Sequence, residues 1–352
     1  MKEESKQMTR ASVIIVNYNG GELLKRCLQS ILEALGPNDE VILVDNASVD
    51  GSAEAVGAAF PAIRFLPSAV NLGFSAGNNL GVEQARGTYL AFINPDTVAE
   101  QGWLDNLIAA LEADPQAGLA TPKILLLNDP QRINTCGHLV HYTGLTLCRG
   151  MGQPRTAFPD LAEVGGVSGA AFVMRRELFL QLGGFDEAFF MYMEDVDLSL
   201  RARLAGYRCL YVPSAIIFHS YTLRFRWTKT FYQERNRYLM LLKTFRWPTL
   251  LALFPALLLA EVITWGFILL RDRPNRSNKV RAWLWLLNHR NAIMASRRRV
   301  QALRAVQDRE LIAQAAYILD FEQASQGFLA WVAHWIFDPL FWLFQRLALK
   351  LI

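Results

Sequence analysis

The sequence predicts an α/β protein, with a mostly parallel sheet covered by helices on both faces and an α-helical C-terminal region that associates with a membrane. Short apolar runs alternate with helical patterns in the first 222 residues, as in parallel sheets buried on both faces. The net charge then changes from −8 over residues 1–223 to +14 over residues 224–304. Residues 250–270 form an apolar run long enough to cross a bilayer. We therefore predict an N-terminal domain over residues 1–222 and a basic, amphipathic region over residues 223–352.

The first four strands are predicted from short runs rich in β-branched and aromatic residues, each followed by polar or turn residues. Between these runs, apolar residues at helical spacing predict helices over residues 23–35 and 52–60 and a third helix that ends near Arg86. Ligands of such a sheet bind beyond the carboxyl ends of its strands. The four runs are Ala11–Val16, Val41–Val44, Ile63–Leu66 and Tyr89–Ile93.

The second half of this domain has a less regular pattern. Residues 98–113 predict an amphipathic helix, whereas the scattered Gly, Pro and Asn of residues 118–165 predict irregular structure. The elements predicted next are a strand over 167–174, a helix over 176–182, a helix that ends at Gly206 and a strand over 207–212. The run 215–218 then leads to His219.

Polar side chains follow each of the first four strands at the point where the strand ends. The carboxyl ends of parallel strands meet at one edge of a sheet, so these side chains should lie close together. Four such groups at one edge predict a binding site of nucleotide size. The groups are Asn17 with Tyr18, Asp45 with Asn46, the stretch Asn71–Asn79, and Asp96.

Three carboxylates, Glu194, Asp195 and Asp197, occupy four positions directly after an aromatic and thioether-rich stretch. Like charges at this density repel, and burial beside aromatic rings would raise at least one carboxyl pKa toward the range of a general base. A structural role is the alternative, because acidic residues are also favoured in the first turn of a helix. The cluster alone is compatible with both interpretations.

The region after residue 223 interleaves cations with aromatic rings, a pattern that also binds single-stranded nucleic acid. An anionic membrane surface explains the region better than a nucleic acid does, because binding to a nucleic acid does not account for the apolar run. Glu261 inside the run and basic residues on both sides favour a re-entrant or in-plane helix pair over a single crossing. A buried core helix is the alternative. Residues 328–352, with Trp331, Trp335 and Trp342, predict another interfacial helix.

The location predicted for the protein is the cytoplasmic face of the cell membrane. The first apolar run is too short for a signal peptide. The four cysteines lack the CxxC spacing of zinc sites and are typical of free thiols in a reducing compartment.

Five motifs of this chain resemble those of the family 2 inverting glycosyltransferases of the GT-A fold, and they occur in the order of that family. Within the family they are most similar to the bacterial rhamnosyltransferase branch. The resemblance covers residues 12 to about 222 and implies a GT-A nucleotide-diphospho-sugar transferase fold for this domain. The motifs are Val13–Asn19, Val44–Ser52, Asn71–Asn79, Asn94–Asp96 and Glu194–Leu198.

The resemblance also implies a role for each motif. Asp195 corresponds to the general base of the family, Glu194 is expected to position the acceptor or the base, and Asp197 is left with the structural role. A divalent cation, Mg²⁺ or Mn²⁺, is expected on Asp96 and His219. The nucleoside diphosphate is expected to contact Asn17, Tyr18, Asp45, Asn46, Asn71, Gly73, Asn78 and Asn94.

Two positions depart from the family pattern. Asn94 stands where the family usually has the first acid of its metal-binding motif, so Asp96 is the carboxylate left at that strand end. Asn78 stands where many relatives have Arg, so neutralisation of the diphosphate would depend more heavily on the metal.

The activity that the resemblance implies is inverting transfer of a sugar from a nucleoside-diphosphate donor in the biosynthesis of cell-surface polysaccharide. The expected sugar is L-rhamnose from dTDP-rhamnose, and the expected acceptor is a hydroxyl of a polyprenyl-diphosphate-linked glycan. One alternative is a transferase for a protein or soluble acceptor, whose apolar C-terminus serves homo-oligomerisation. Another is a catalytically silent nucleotide-sugar-binding protein, which would explain the missing first acid.

Overall fold

The computed structural model describes residues 9–221, 227–271, 273–320 and 328–352. Its first part alternates strands and helices as predicted, because each apolar run pairs with a neighbouring strand while each amphipathic segment covers the sheet. In chain order the elements are β1 (Ala11–Asn17), α1 (Gly21–Ala34), β2 (Asp39–Asn46), α2 (Ser52–Ala59), β3 (Arg64–Ser68), α3 (Gly73–Glu83), β4 (Tyr89–Ile93), β5 (Thr97–Ala99) and α4 (Trp103–Ala113).

The prediction of irregular structure over residues 118–165 is wrong, because most of that segment forms strands. Gly118 and Pro122 interrupt the apolar pattern of the first of them, and the next begins with exposed polar residues, so neither strand shows a clear alternation. The elements that follow α4 are β6 (Ala117–Leu126), β7 (Asp129–Thr135), β8 (His138–Val140), β9 (Thr146–Cys148), β10 (Ala162–Val164), β11 (Ala171–Arg175), α5 (Arg176–Gln181), α6 (Glu194–Leu204) and β12 (Arg208–His219).

The main sheet has the strand order β10-β12-β6-β11-β4-β1-β2-β3. Neighbours from β4 to β3 are parallel, as are β12 and β6, whereas β11 is antiparallel to both of its neighbours. The α/β class predicted from the sequence is thus confirmed, with a mixed sheet, because β10 and β5 also pair antiparallel to β12, and β7 to β6. Strand β12 spans both the predicted strand 207–212 and the run 215–218. Buried apolar side chains cover both faces, including Leu43 and Trp103 on one and Phe92 and Phe172 on the other.

The C-terminal part is helical and contacts the first part directly. The predicted boundary between residues 222 and 223 lies outside the described residues. The helix that follows packs against α6, and two later helices pack against that helix. The C-terminal helices are α7 (Trp227–Thr244), α8 (Trp247–Ala252), α9 (Phe254–Arg271), α10 (Arg276–Asn288), α11 (Arg290–Ala302), α12 (Asp308–Ala313) and α13 (Phe328–Leu351).

Glu261, the acid inside the apolar run, is paired within the protein. Its carboxylate lies 3.0 Å from Lys279 Nζ and also contacts the guanidinium of Arg237 and the hydroxyl of Tyr238. Lys279 is fully buried and lies 2.8 Å from Glu234 as well. The charge that is costly in hydrocarbon is therefore compensated by partners on α7 and α10.

The apolar run 250–270 is divided between α8 and α9 by a turn at Leu253. Among the described residues, no single helix has the length and hydropathy of a membrane span, but the segments Phe254–Leu270 and Arg273–Asn288, bent by 118°, meet that test together. Association with a membrane stays a prediction.

Candidate active site

Asn17 at the end of β1 and Asp45 at the end of β2 lie side by side, because the two strands pair in register there. The fully buried Asn17 Nδ2 lies 3.1 Å from Asp45 Oδ1 and 2.9 and 3.0 Å from the hydroxyls of Ser48 and Ser52. Tyr18 beside them is 52% exposed. Asn17 thus orients Asp45 and the loop after β2, while Tyr18 presents an open ring surface.

Asn46 and Asn71 shape the entry to α3. Asn46 donates to Asn71 Oδ1 at 3.0 Å and accepts from the Leu72 backbone N–H at 2.7 Å. Gly73 then has a φ of +76°, and a Cβ at this position would lie 2.4 Å from the carbonyl oxygen of Phe190. Glycine is therefore required where α3 meets the segment that precedes the acidic cluster.

Asn78 and Asn94, the two positions that depart from the family pattern, have different surroundings. Asn78 is 1% exposed, and its amide donates to the Phe74 carbonyl at 2.9 Å within α3. Asn94 is partly exposed at the end of β4, where its backbone N–H donates to the Ala170 carbonyl at 3.0 Å. Asn94 thus lies at the polar edge of the sheet, whereas Asn78 would have to give up an intrahelical bond to reach a ligand.

Asp96 and His219 meet beyond the end of β4, because β12 pairs with β5 there and brings His219 back. His219 Nε2 lies 3.3 Å from Asp96 Oδ1. The buried Asn134 places its Oδ1 2.8 Å from His219 Nδ1. An amide oxygen only accepts, so Nδ1 donates to Asn134 and Nε2 is the ring nitrogen that faces Asp96.

This pair fits a divalent cation. Asp96 Oδ1 is buried and has no hydrogen-bond partner among the described residues, and the carboxylate oxygen and the imidazole nitrogen 3.3 Å from it are both atoms that bind divalent cations. An outer partner that fixes the tautomer, as Asn134 does, is usual for metal-bound histidine. The described part of the chain contains no group of three or more His, Cys, Asp or Glu that could hold a metal, so further ligands would have to come from substrate or water.

Asp195 lies in the first turn of α6 and is 8% exposed. Its Oδ2 lies 3.1 Å from His138 Nε2 and accepts from the Gly169 N–H at 2.6 Å, while its Oδ1 accepts from the Val196 N–H at 2.8 Å. Burial alone would raise the pKa of Asp195, but His138 and the two backbone donors together lower it below its usual value. Asp195 is therefore held ionised, the form that a general base requires.

The two other acids of the cluster differ from Asp195. Glu194 is 6% exposed, and burial next to the charge of Asp195 raises its pKa well above the usual range, which favours its protonated form. Asp197 is fully buried, and its carboxylate lies 2.8 Å from both Arg201 Nε and Lys243 Nζ. Asp197 thus joins α6 to α7, the kind of structural role predicted for it.

The turn before β11 connects Asp195 to the edge that carries Asp96. Gly169 donates its N–H to Asp195, and the next residue, Ala170, accepts from the N–H of Asn94 at 3.0 Å. A Cβ at Gly169 would lie 3.1 Å from Asp195 Oδ2, which is tighter than ordinary contact. Asp195 is therefore joined through residues 169 and 170 to the end of β4, where Asn94 lies two positions before Asp96.

The segment that leads into Asp195 is strained and is held by α7. Three of its residues have a positive φ although they are not glycine. This backbone conformation costs on the order of 1–3 kcal/mol for each such residue. Asn236 Nδ2 lies 2.7 to 3.0 Å from three carbonyl oxygens within residues 189–192, and Arg235 donates to the carbonyls of residues 188 and 189. The strained residues are Phe190, Tyr192 and Met193, with φ of 62°, 67° and 69°.

Sequence reasoning missed four residues that organise this site: His138, Asn134, Gly169 and Asn236. His138 and Asn134 lie on short strands inside the segment that the sequence predicts as irregular. Asn236 lies in the basic segment interpreted only as membrane-associating. For His138 the sequence offers one local signal, since this histidine directly precedes the apolar residues Leu139 and Val140.

The expected GT-A fold is confirmed, because solved glycosyltransferase-fold structures superpose on this chain. GalNAc-T7 in complex with UDP, GalNAc and Mn²⁺ superposes with a TM-score of 0.56 and 17% identity, covering 67% of this chain and 48% of that structure. Residues 1–349 of TarS from S. aureus superpose with a TM-score of 0.54 and 15% identity, covering 97% of this chain and 88% of that structure.

The chain belongs to glycosyl transferase family 2, whose sequence profile matches residues 12–183. A curated relative from Mycobacterium tuberculosis, named N-acetylglucosaminyl-diphospho-decaprenol L-rhamnosyltransferase, is 34% identical over 233 residues, which are 59% of this chain and 75% of the relative. The family and the rhamnosyltransferase likeness expected from the motifs are thus confirmed.

Proposed function

We propose that this transferase is an inverting enzyme that moves a sugar from a nucleoside-diphosphate donor to a hydroxyl of a polyprenyl-diphosphate-linked glycan. The observation that carries the proposal is the position of an ionised Asp195, connected by the turn at residues 169–170 to the strand end that bears Asp96. A base and an anion-binding edge are the two parts that displacement of a nucleoside diphosphate requires. The name of the mycobacterial relative supports L-rhamnose as the sugar, and dTDP-rhamnose is the donor that the motifs lead us to expect.

In the proposed reaction, Asp195 removes the proton of the acceptor hydroxyl as the acceptor oxygen bonds to the anomeric carbon. The bond between that carbon and the donor phosphate oxygen breaks on the opposite face, and its electron pair leaves with the nucleoside diphosphate. A single displacement of this kind inverts the anomeric configuration. Protonated Glu194 can donate a hydrogen bond beside the base, which suits the positioning role expected for it.

The polar edge would bind the donor. Asp45, oriented by Asn17, would accept hydrogen bonds from the base or ribose, and the exposed ring of Tyr18 would stack on the base. Asp96 and His219 would hold the divalent metal, Mg²⁺ or Mn²⁺, with its further ligands from the diphosphate and water. When bound, the metal supplies neutralisation of the leaving diphosphate.

An apolar surface on α9, α10 and α13 would hold the site at the cytoplasmic face of an anionic membrane, where a lipid-linked acceptor lies. Its side chains are exposed and recur at helical spacing, and exposed arginines at 273, 276 and 281 flank it. This apolar surface consists of Leu258 and Val262 on α9, Val280, Trp283, Leu284 and Leu287 on α10, and Ile336, Leu340, Leu343 and Leu347 on α13.

A donor panel tests the reaction. Purified protein with Mn²⁺ and a synthetic N-acetylglucosaminyl-diphospho-polyprenol acceptor should release dTDP from dTDP-L-rhamnose and form a rhamnosylated lipid product. Product formed only on a soluble sugar or a protein would favour the alternative acceptor. A lack of turnover with every nucleotide sugar offered would contradict the proposal.

Vesicle flotation tests the apolar surface. The protein should float with vesicles that contain phosphatidylglycerol and less with phosphatidylcholine alone. The double substitution Leu284→Glu and Leu287→Glu should abolish flotation, whereas Leu161→Glu, at a residue that is 56% exposed in the first part of the chain, should not. Equal flotation of all three proteins would count against this surface.

A further inference from the structure

Glu194 and Asp195 are adjacent carboxyl groups in one buried site, with exposures of only 6% and 8%. Two neighbouring negative charges in a medium of low polarity repel strongly, so an unaided pair would share one proton. The mechanism above needs the proton on Glu194 and the charge on Asp195. Some other group must therefore distinguish the two carboxyls.

His138 makes this distinction. Its Nε2 lies 3.1 Å from Asp195 Oδ2, whereas Glu194 Oε2 is buried with no hydrogen-bond partner among the described residues. We propose that His138 is a positioning residue that keeps Asp195 charged and leaves the proton on Glu194. The proposal rests on the function proposed above, in which Asp195 is the base.

The groups that face the His138 ring support a charged imidazole. Strand β8 pairs with β9 so that His138 lies opposite Cys148, and α6 brings Glu194 and Asp195 toward the ring. Burial alone would lower the pKa of His138, but the charge of Asp195 and its hydrogen bond, followed by the smaller effect of Cys148, raise it to about 10. At neutral pH the site therefore holds an imidazolium, a carboxylate and a neutral carboxyl group.

His138 also determines which oxygen of the base reacts. Oδ2 of Asp195 is engaged by both His138 and the Gly169 N–H, whereas Oδ1, among the described residues, accepts from the adjacent Val196 N–H alone. The acceptor O–H bond breaks toward Oδ1 as the new bond to the anomeric carbon forms. The electron pair of the broken donor bond leaves with the nucleoside diphosphate, and His138 keeps its own proton throughout.

Nitrogen NMR of the histidines tests the charge without any substrate. The chain has five histidines, so protein labelled with ¹⁵N-histidine gives few ring signals, and His138→Gln assigns the signal of interest. His138 should give imidazolium shifts from pH 6 to pH 9 in the wild type and should titrate at lower pH in Asp195→Asn. A neutral His138 ring at pH 7 in the wild type would overturn the inference.

The pH dependence of transfer separates this role from a merely structural one. Glutamine at 138 keeps an N–H donor but lacks charge, so the pKa of Asp195 should rise. With dTDP-L-rhamnose and the synthetic lipid acceptor, the acidic limb of kcat should then move up by about one pH unit or more, with activity recovered at high pH. An acidic limb equal to that of the wild type would overturn the inference.

His141→Gln is the matched control. His141 lies directly after β8, is 1% exposed, and burial lowers its pKa to about 3, so it is neutral. Its substitution should leave the acidic limb in place, and a similar shift would count against a specific role of His138. If Asp195→Asn retained transfer, the proposed function itself would be refuted. If Asp195→Asn were inactive but the acidic limb of kcat in His138→Gln did not shift, only the inference about His138 would be refuted.

Discussion

Substitution of Lys243 by Met tests how firmly the C-terminal helices are joined to the helix that carries the base. Lys243 on α7 is fully buried, and its Nζ lies 2.6 Å from Asp186 Oδ2 and 2.8 Å from Asp197 Oδ1. Asp197 follows the proposed base by two residues on α6. Methionine keeps most of the apolar stem and removes the charge, so the variant isolates the ion pairs from the packing.

The expected loss is about 3 kcal/mol of unfolding free energy, the lower end of the range for removing one partner of a buried ion pair. The lower end applies because Arg201 still pairs with Asp197 and Ser296 still donates to Asp186. Burial alone would raise the pKa of Asp186, but Lys243 lowers it to about 2. The stabilisation that comes from this lowered pKa is complete above pH 3.8, the pKa of Asp186 in the unfolded chain, and is lost as the pH falls toward 2. The difference in unfolding free energy between wild type and variant should therefore shrink in acid.

Urea unfolding followed by two probes measures this effect. Eight of the nine tryptophans lie after residue 226, so their fluorescence reports on the C-terminal helices, whereas far-UV circular dichroism reports on the whole chain. Both transitions should move together in Lys243→Met and stay in place in Lys25→Met, at an exposed position on α1. A loss under about 1 kcal/mol, the size of an exposed pair, would refute the reasoning.

Three further predictions concern the site. Asn236→Ala should lower kcat by about tenfold or more, with little change in donor KM, because it frees the strained segment before the base. The control Asn288→Ala, at an exposed position, should change neither constant. Equal kinetics for both variants would contradict this role of Asn236. His219→Gln should weaken Mn²⁺ binding in calorimetry by about tenfold or more, and wild-type affinity would exclude His219 as a ligand. Gly73→Ala should cost about 1–3 kcal/mol of unfolding free energy, because of the positive φ and the contact with Phe190; a neutral result would contradict that contact.

The parts of the fold that the sequence predicts well are those whose pattern is local. The apolar runs of β1, β2 and β4 pair in the sheet as predicted, and the polar groups after them meet at one edge because parallel strands end together. Asn17 and Asp45 could therefore be placed near each other before the structure was known.

The parts that could not be predicted depend on contacts between distant residues. His138 meets Asp195 across 57 positions of the chain through a strand of three residues, too short to give a periodic signal. Glu261 looked costly in an apolar run because its partners Arg237 and Lys279 lie on other helices. Likewise, nothing local in the sequence shows that Asn236 holds the segment before the base.

The most direct test of the central claim is the single-turnover rate of Asp195→Asn, measured together with its affinity for the donor. Asparagine has nearly the same shape but cannot take a proton. We predict that transfer from dTDP-L-rhamnose slows by about 10²–10⁴-fold, the contribution of a general base, while the dissociation constant of the donor stays close to that of the wild type. A rate near that of the wild type would contradict the assignment of Asp195 as the base.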